Sequence, residues 1–280
     1  MEGPEDHALP DHDAVRTRHG GVRPHSSAGA EVIPASIPVR FSTLRLMAKS
    51  PAHYKAALDG EREDTLAMRM GRLVHALVLG GDYLVWDGTR RGKEWDRFEA
   101  ENLGREIVTA SELAQAEPVA AAVLASELAA PLLDGAHEQT IEWEIGDRRC
   151  KGRLDVLNAA FITDLKSTTN AEPGWFARHA TAMGYHAQLA WYADGAKAAG
   201  LAIAPRCYVV AVEMKLPHVV TCLELTDRAL DMGRRAYRLW WERLMVCEMS
   251  DYWPGYVEGI APLDVPEDET LWINGEEVAA

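Results

Sequence analysis

Asp155, Asp164 and Lys166 are the residues whose types and spacing most directly imply chemistry. They lie in Gly152-Arg153-Leu154-Asp155-Val156-Leu157 and Phe161-Ile162-Thr163-Asp164-Leu165-Lys166, two runs of strand-forming residues flanking Asn158-Ala159-Ala160. Alternate side chains of a strand share a face, so Asp164 and Lys166 point the same way and Leu165 points away. With a connecting loop of two or four residues, Asp155 stands opposite Asp164 in an antiparallel pair and its carboxylate joins them. Two carboxylates a few ångströms apart repel, and one tends to hold a proton unless a cation sits between them. A hard divalent ion fits: Asp oxygens, a backbone carbonyl and water are what magnesium prefers, and the Leu165 carbonyl is well placed to be one of those oxygens. The Lys166 ammonium can then orient an attacking water or stabilise the extra negative charge of a phosphorane-like transition state, while the metal lowers the water's pKa. The plainer alternative is a surface hairpin whose Asp and Lys form weak exposed ion pairs.

The elements that must position these groups are legible around them. From Asp64 to Leu79 the sequence reads as a helix, with Leu66, Met70, Leu73, Val74 and Leu77 at helical spacing and Gly80-Gly81 as a stop. His75 falls opposite the centre of that stripe, one turn after Gly71, where an imidazole can reach a metal; a single helical His is more often structural. Gln188 and Tyr192 are four apart in the Ala-rich segment from Gly184 to Ala199, so both lie on one helix face. That face could rest against the lysine or a phosphate, whereas without further information Tyr192 reads as a packed tyrosine with a satisfied hydroxyl. Glu142 and Glu144 alternate with Ile141, Trp143 and Ile145 and read as the solvated face of a strand.

Taken in order, Ser50-Pro51-Ala52-His53-Tyr54-Lys55, Gly71-Arg72-Leu73-Val74-His75, Gly152-Arg153-Leu154-Asp155, Asp164-Leu165-Lys166 and Gly184-Tyr185-His186-Ala187-Gln188-Leu189-Ala190-Trp191-Tyr192 resemble the nuclease domain of phage-type RecE exonucleases. That domain belongs to the PD-(D/E)xK superfamily, with the RecB nuclease domain and lambda exonuclease as relatives. The resemblance runs from about Phe41 to about Trp253. It implies His75, Asp155 and Asp164 as side-chain metal ligands, Leu165 as a backbone ligand, Lys166 as the catalytic lysine, and Gln188 and Tyr192 as residues of the same site. It further implies magnesium, with manganese as a substitute, duplex DNA ends as substrate and digestion from a 5′ end. A single-strand annealing protein of the RecT type as partner and a homo-oligomeric ring around DNA follow from the resemblance in the same way. The competing readings are a RecB-like nuclease with a single-strand or endonucleolytic substrate, and a catalytically silent subunit that binds DNA ends. The intact set of Asp155, Asp164 and Lys166 argues against silence.

Composition sets the remaining bounds. A chain of 280 residues, 48% of them hydrophobic, can bury one large core, and one domain from residue 36 to 253 is expected. Residues 1 to 35 mix Pro, Gly, Ser, His and charges without periodicity and read as a disordered tail, and residues 254 to 280 read as an acidic tail. Without an apolar run of membrane-spanning length or a charged-then-apolar leader, a cytoplasmic protein is expected. Cys150, Cys207, Cys222 and Cys247 form no C-x-x-C pair, which counts against a zinc or iron–sulfur cluster. No Walker-type phosphate loop occurs, so hydrolysis should not require ATP. The net charge of -14 is awkward for DNA binding, but Arg69, Arg72, Arg90, Arg91, Lys93, Arg97 and Arg105 are close enough in sequence to build a local basic face.

The elements read as helices 51–58, 65–79 and 110–128, strands 139–145, 148–157 and 161–166, a helix 173–198 broken near Gly184, strands 206–213 and 218–225, and a helix 227–247. The expected fold class is α/β: a PD-(D/E)xK, restriction-endonuclease-like core with a mixed central sheet flanked by helices.

Overall fold

Residues 37–60, 64–201, 205–263, 271–273 and 276–278 are described by the structure, a computed structural model. The expected N-terminal tail, residues 1 to 35, lies outside them. In chain order, β1 (Val39–Arg40) leads into α1 (Phe41–Leu44), a 3-10 turn and α2 (Pro51–Asp59), followed by α3 (Leu66–Leu79). Then come β2 (Leu84–Trp86), α4 (Lys93–Glu101), β3 (Ile107–Thr109) and α5 (Ala110–Leu124). The central run is β4 (Ala136–Ile145), β5 (Arg148–Leu157), β6 (Phe161–Thr168), α6 (Pro173–Met183), α7 (Tyr185–Ala198), β7 (Arg206–Glu213), β8 (Val220–Glu224) and α8 (Asp227–Ser250). A short antiparallel pair, β9 (Leu271–Ile273) and β10 (Glu276–Val278), occupies the segment read as an acidic tail.

Local chemistry sets the boundaries. Thr65 caps α3 by accepting the Met68 N–H at 3.3 Å, and Gly80 ends it in the left-handed region at φ 82°. Gly184, at φ 76°, ends α6 and starts α7, so the long helical segment does break there. Thr109 and Glu112 form a reciprocal capping box on α5. That helix stops at Leu124, four residues earlier than its apolar pattern suggests, and both Leu124 and Leu128 are exposed. β4 begins at Ala136, three residues earlier than expected. The parallel pair β2–β3 and the helix α4 were not expected at all, because strands of three residues leave no readable alternation.

Six strands form one mixed sheet. β4 pairs antiparallel with β5, β5 with β6, and β7 with β8, whereas β6–β7 and the short β1–β5 contact are parallel. The β6–α6–α7–β7 crossover makes the parallel pair. Two apolar cores lie on the sheet's faces. One contains Phe41, Leu44, Trp143, Leu154, Ile162, Leu189, Trp191 and Leu244, from β1, α1, α7 and α8 with the sheet. The other contains Leu73, Val74, Val119, Val123, Val156, Leu165 and Val210, from α3 and α5 with the sheet. The expected stripe on α3 is buried at Met70, Leu73 and Val74, but Leu66 at its first turn is 58% exposed. On α8, Leu244 is fully buried while Leu239 is 64% exposed.

β5 is irregular at one point. Leu154 belongs to one core and Val156, two residues on, to the other, although residues i and i+2 of a regular strand share a face. In β4 the register places Glu138 opposite Asp155, between the pairs His137–Val156 and Gln139–Leu154, and Glu138 has φ 52°. A non-glycine residue in the left-handed region is uncommon and locally strained. The strand pair therefore turns over at Asp155. Beyond Val156–Thr163 the β5–β6 ladder also stops, and the two strands fork.

The helix layer over the first core is pressed close. A Cβ on Gly233 of α8 would lie 2.3 Å from the backbone oxygen of His186 on α7, and one on Gly195 of α7 would lie 2.8 Å from the Trp143 ring. Backbone atoms cannot move aside as a flexible side chain can. Gly233→Ala is therefore expected to separate α7 from α8 and to destabilise the fold by about 3 kcal/mol, read as a lowered urea midpoint at unchanged slope. An unchanged midpoint would show that the two helices are not held at this spacing.

Candidate active site

The fork between β5 and β6 gathers the chemistry-bearing side chains. The turn closes as Asn158 N–H to Phe161 O at 2.9 Å, so Leu157 faces Ile162, Val156 faces Thr163, and Asp155 falls at the height of Asp164. There the expected side-by-side pairing gives way to something tighter. Asp155 Oδ2 accepts the Leu165 N–H at 2.8 Å, replacing the ladder bond that the fork removes. Asp164, 2% exposed, is held on both oxygens: Oδ1 accepts from Gln188 Nε2 at 3.2 Å and Oδ2 is ion-paired with Lys166 Nζ. The Lys166 ammonium also sits 4.9 Å from the centroid of the Tyr185 ring.

Each helical layer sends residues into the fork. From α3, His75 Nδ1 comes within 3.5 Å of Asp155 Oδ2. The helix can lie that close because Gly71, one turn earlier, faces Ser167; a Cβ there would be 3.3 Å from Ser167 Oγ. From α7, Gln188 and Tyr192 share a face as expected, with Gln188 Nε2 donating to Tyr192 OH at 3.3 Å as well as to Asp164. The Tyr192 ring lies across Gly152 of β5, where a Cβ would meet it at 2.9 Å. All seven sequence-derived site residues therefore converge: His75, Asp155, Asp164, Leu165, Lys166, Gln188 and Tyr192. Glu142 and Glu144 are on the solvated face of β4, where Glu142 pairs with Arg149 and Lys151.

Glu138 is the site residue that the sequence reading passed over. Ligand atoms of His75, Glu138 and Asp155 all lie within 4.8 Å of one another, an arrangement that can hold a metal ion. The Gly146–Asp147 turn was the available signal, because a two-residue β4–β5 hairpin loop puts Glu138 opposite Asp155. Glu138 also meets Arg153 Nε at 2.8 Å, on a side chain 67% exposed. Tyr185, the ring beneath the lysine, is a second site residue without a sequence signal of its own.

The electrostatics fit a cation at this cluster. Burial, partly offset by His75 and reinforced by the Asp164 charge, pushes the Asp155 carboxyl up to about 6. Burial alone would lower the Lys166 pKa, but the Asp164 and Asp155 charges outweigh it and hold the ammonium above its ordinary range. Lys166 is thus a fixed cation already engaged by Asp164. Asp155 and Glu138 place carboxylate oxygens beside the His75 imidazole, a donor set that suits a divalent ion.

A mixed sheet between helical layers, with a carboxylate on each arm of a fork and a lysine two residues beyond the second, defines a PD-(D/E)xK-type domain. The chain belongs to the family described as a PDDEXK-like domain of unknown function (DUF3799), whose model matches residues 40–265. Among solved structures it is similar to a protein named "Putative exonuclease" from Eubacterium rectale, with TM-score 0.61 and 16% identity, covering 88% of this chain and 95% of that one. At that identity the likeness is one of fold. No curated protein matches the chain in sequence.

The Asp155 shift has a signed consequence. Its ordinary value is 3.8 and its folded value about 6, so the folded state holds this proton more tightly than the unfolded chain does. Ionising Asp155 above that value costs the metal-free fold stability, and the cost is relieved as pH falls. A divalent ion held by this carboxyl would bind its ionised form. Magnesium is therefore expected to raise the melting temperature clearly at about pH 8 and hardly at about pH 5, with the change centred near pH 6. His75→Ala and Glu138→Gln should each weaken that stabilisation by at least about tenfold in metal affinity. A metal effect independent of pH across this window would remove Asp155 from the ligand set.

Proposed function

We propose that this protein is a metal-dependent, ATP-independent deoxyribonuclease, an exonuclease of the RecE type that digests linear duplex DNA from the 5′ end and leaves 3′ single strands. The observation that carries this reading is the fork itself, where Asp155, Asp164 and Lys166 meet His75 from one layer and Gln188 from the other. His75, Asp155, Asp164, Glu138 and the Leu165 carbonyl would hold magnesium, or manganese in its place. The bound ion supplies Lewis acidity, polarising the phosphodiester and lowering the pKa of a water.

The chain's own residues do the rest. Lys166, kept protonated by its carboxylate neighbours, serves as a positive charge for the developing phosphorane and not as a proton acceptor. Gln188 fixes the Asp164 carboxylate and is itself held by Tyr192, so the pair positions the acid that orients the lysine. The pentacoordinate transition state carries more negative charge than the substrate, which is why a cation preplaced at Lys166 favours turnover more than binding.

The wider reading follows the same resemblance: a homo-oligomeric ring threaded by duplex DNA, working with a single-strand annealing protein of the RecT type in recombination. The charges require one revision. Arg72 makes paired hydrogen bonds with both Asp64 and Glu106, Arg90 with Glu112, and Arg69 lies at 3.7 and 3.6 Å from Asp64 and Glu112. These three arginines are neutralised within the fold. Exposed Arg91, Lys93, Arg97 and Arg105 are interleaved with Asp87, Glu94, Asp96, Glu99, Glu101 and Glu106, so the segment offers no net positive face. That observation favours, as the second reading, a RecB-like nuclease that takes single strands or cuts internally.

End-labelled linear, nicked and covalently closed duplexes incubated with magnesium distinguish the readings. The linear duplex is expected to be degraded from its 5′ ends and the closed circle left intact, with activity falling steeply as salt rises. Cleavage of closed circles by a monomer would replace the exonuclease with an endonuclease. Lys166→Ala should lose at least about a hundredfold in kcat while DNA binding survives, and Asp164→Ala should be inactive. Near wild-type turnover by Lys166→Ala would show that the lysine has no part in the chemistry.

A further inference from the structure

A continuous row of rings leads away from Lys166 along α6. The lysine lies 4.9 Å from the Tyr185 ring centroid, Tyr185 meets His179 edge-on at 5.9 Å, and His179 stacks on Trp175 at 5.0 Å with an interplanar angle of 16°. Phe176, 2% exposed, supports His179 and Tyr185 from within the core, at 6.2 Å from each. Tyr185, His179 and Trp175 themselves are only half-buried. Trp and His one helical turn apart stabilise a helix, but that role does not require the row to begin at the catalytic lysine.

Acidic side chains are sparse along this row. Between Ser167 and Tyr185 the sequence has a single carboxylate, Glu172, in a chain of net charge -14. Both Glu172 oxygens are engaged at the start of α6, accepting the Gly174 N–H at 2.9 Å and the Trp175 N–H at 2.6 Å. Arg178 is exposed on the same helix beside His179. A polyanion approaching Lys166 therefore meets little repulsion from α6, whereas on the α3 side the arginines are already neutralised. Flat rings next to a positive side chain suit nucleobases whose faces are free.

We propose that Trp175 and His179 form a stacking platform for unpaired bases of the DNA strand that enters or leaves the fork, with Arg178 meeting its phosphates. This rests on the nuclease reading and sharpens it: the strand crossing α6 is single-stranded, its bases adding to the Trp175–His179 stack while its backbone continues to Lys166. Inside a paired duplex the base faces are already stacked on one another, so the platform favours unpaired bases.

The test is a fluorescence-anisotropy titration of the full-length protein with a labelled single-stranded DNA of about 12 nucleotides and with its fully abasic analogue, which has the same phosphates without bases. Wild-type protein is expected to bind the intact strand about tenfold tighter than the abasic one. Trp175→Ala and His179→Ala should each bring that ratio close to one while leaving the abasic affinity unchanged, and Trp175→Phe should keep most of the preference. A wild-type ratio retained in both alanine variants overturns the platform. Equal losses on both strands overturn it too, by showing a structural role. Binding needs no turnover, so base-dependent binding by a protein that cleaves none of the DNA substrates would support the platform and defeat the nuclease reading alone.

Discussion

The hydrogen bond from the Leu165 N–H to Asp155 Oδ2 is the constraint on which the site depends. Where β5 and β6 part, the backbone of β6 needs another acceptor, since a buried N–H left without one costs about 1–3 kcal/mol. A carboxylate fills that place. Its position is therefore fixed by main-chain geometry and not by side-chain rotamer preference alone. The overturned stretch of β5 and the left-handed Glu138 opposite it belong to the same local distortion. Through the fork, α3 reaches Asp155 from one face of the sheet and α7 reaches Asp164 from the other. An unbroken antiparallel ladder would have left each layer with access to only one face.

The two aspartates have been given different electrostatic fates. Asp164 has Lys166 on one oxygen and Gln188 on the other, while Asp155 has a backbone amide, an imidazole and a second acid nearby. Burial raises Asp155 to about 6. Environments that differ in this way give the two carboxyl groups different partners before any ion binds: a lysine on Asp164, and on Asp155 a backbone amide with an imidazole nearby. The Tyr185 ring under the ammonium is consistent with that division, because it favours a cation and offers Lys166 no second anion.

Much of this was legible in the sequence, for identifiable reasons. The common height of Asp155 and Asp164 followed from the short turn, although the overturn of β5 at Asp155 did not, and the break at Gly184 followed from the only residue type that takes φ 76° without strain. His75 was weak by spacing alone and gained weight only within an ordered set of motifs. Glu138 was missed because its proximity to Asp155 depends on the register of a different hairpin and on a backbone conformation that a glutamate rarely adopts. The β2–β3 pair was missed because three-residue strands have no period. The helix boundary at Leu124 was overrun because exposed Leu124 and Leu128 extend the apolar pattern without joining the core.

The arginines show how a charge count and a charge's use differ. Arg90 hydrogen-bonds the Ile107 carbonyl as well as Glu112, holding that carboxyl down to about 2, and Arg72 binds Glu106 at the entry to β3. They thus fasten the β2–β3 insertion onto α3 and α5. Arg72 is three residues from His75 on α3, so these ion pairs help hold the helix that delivers the imidazole to the fork. Three members of a basic run that looked suited to phosphates, Arg69, Arg72 and Arg90, are instead part of the scaffold around α3. Near the fork, acids are sparse instead along Ser167 to Tyr185, where the single carboxylate is tied to its own helix and Arg45, from a stretch without acids, hydrogen-bonds the Met183 carbonyl at 2.8 Å.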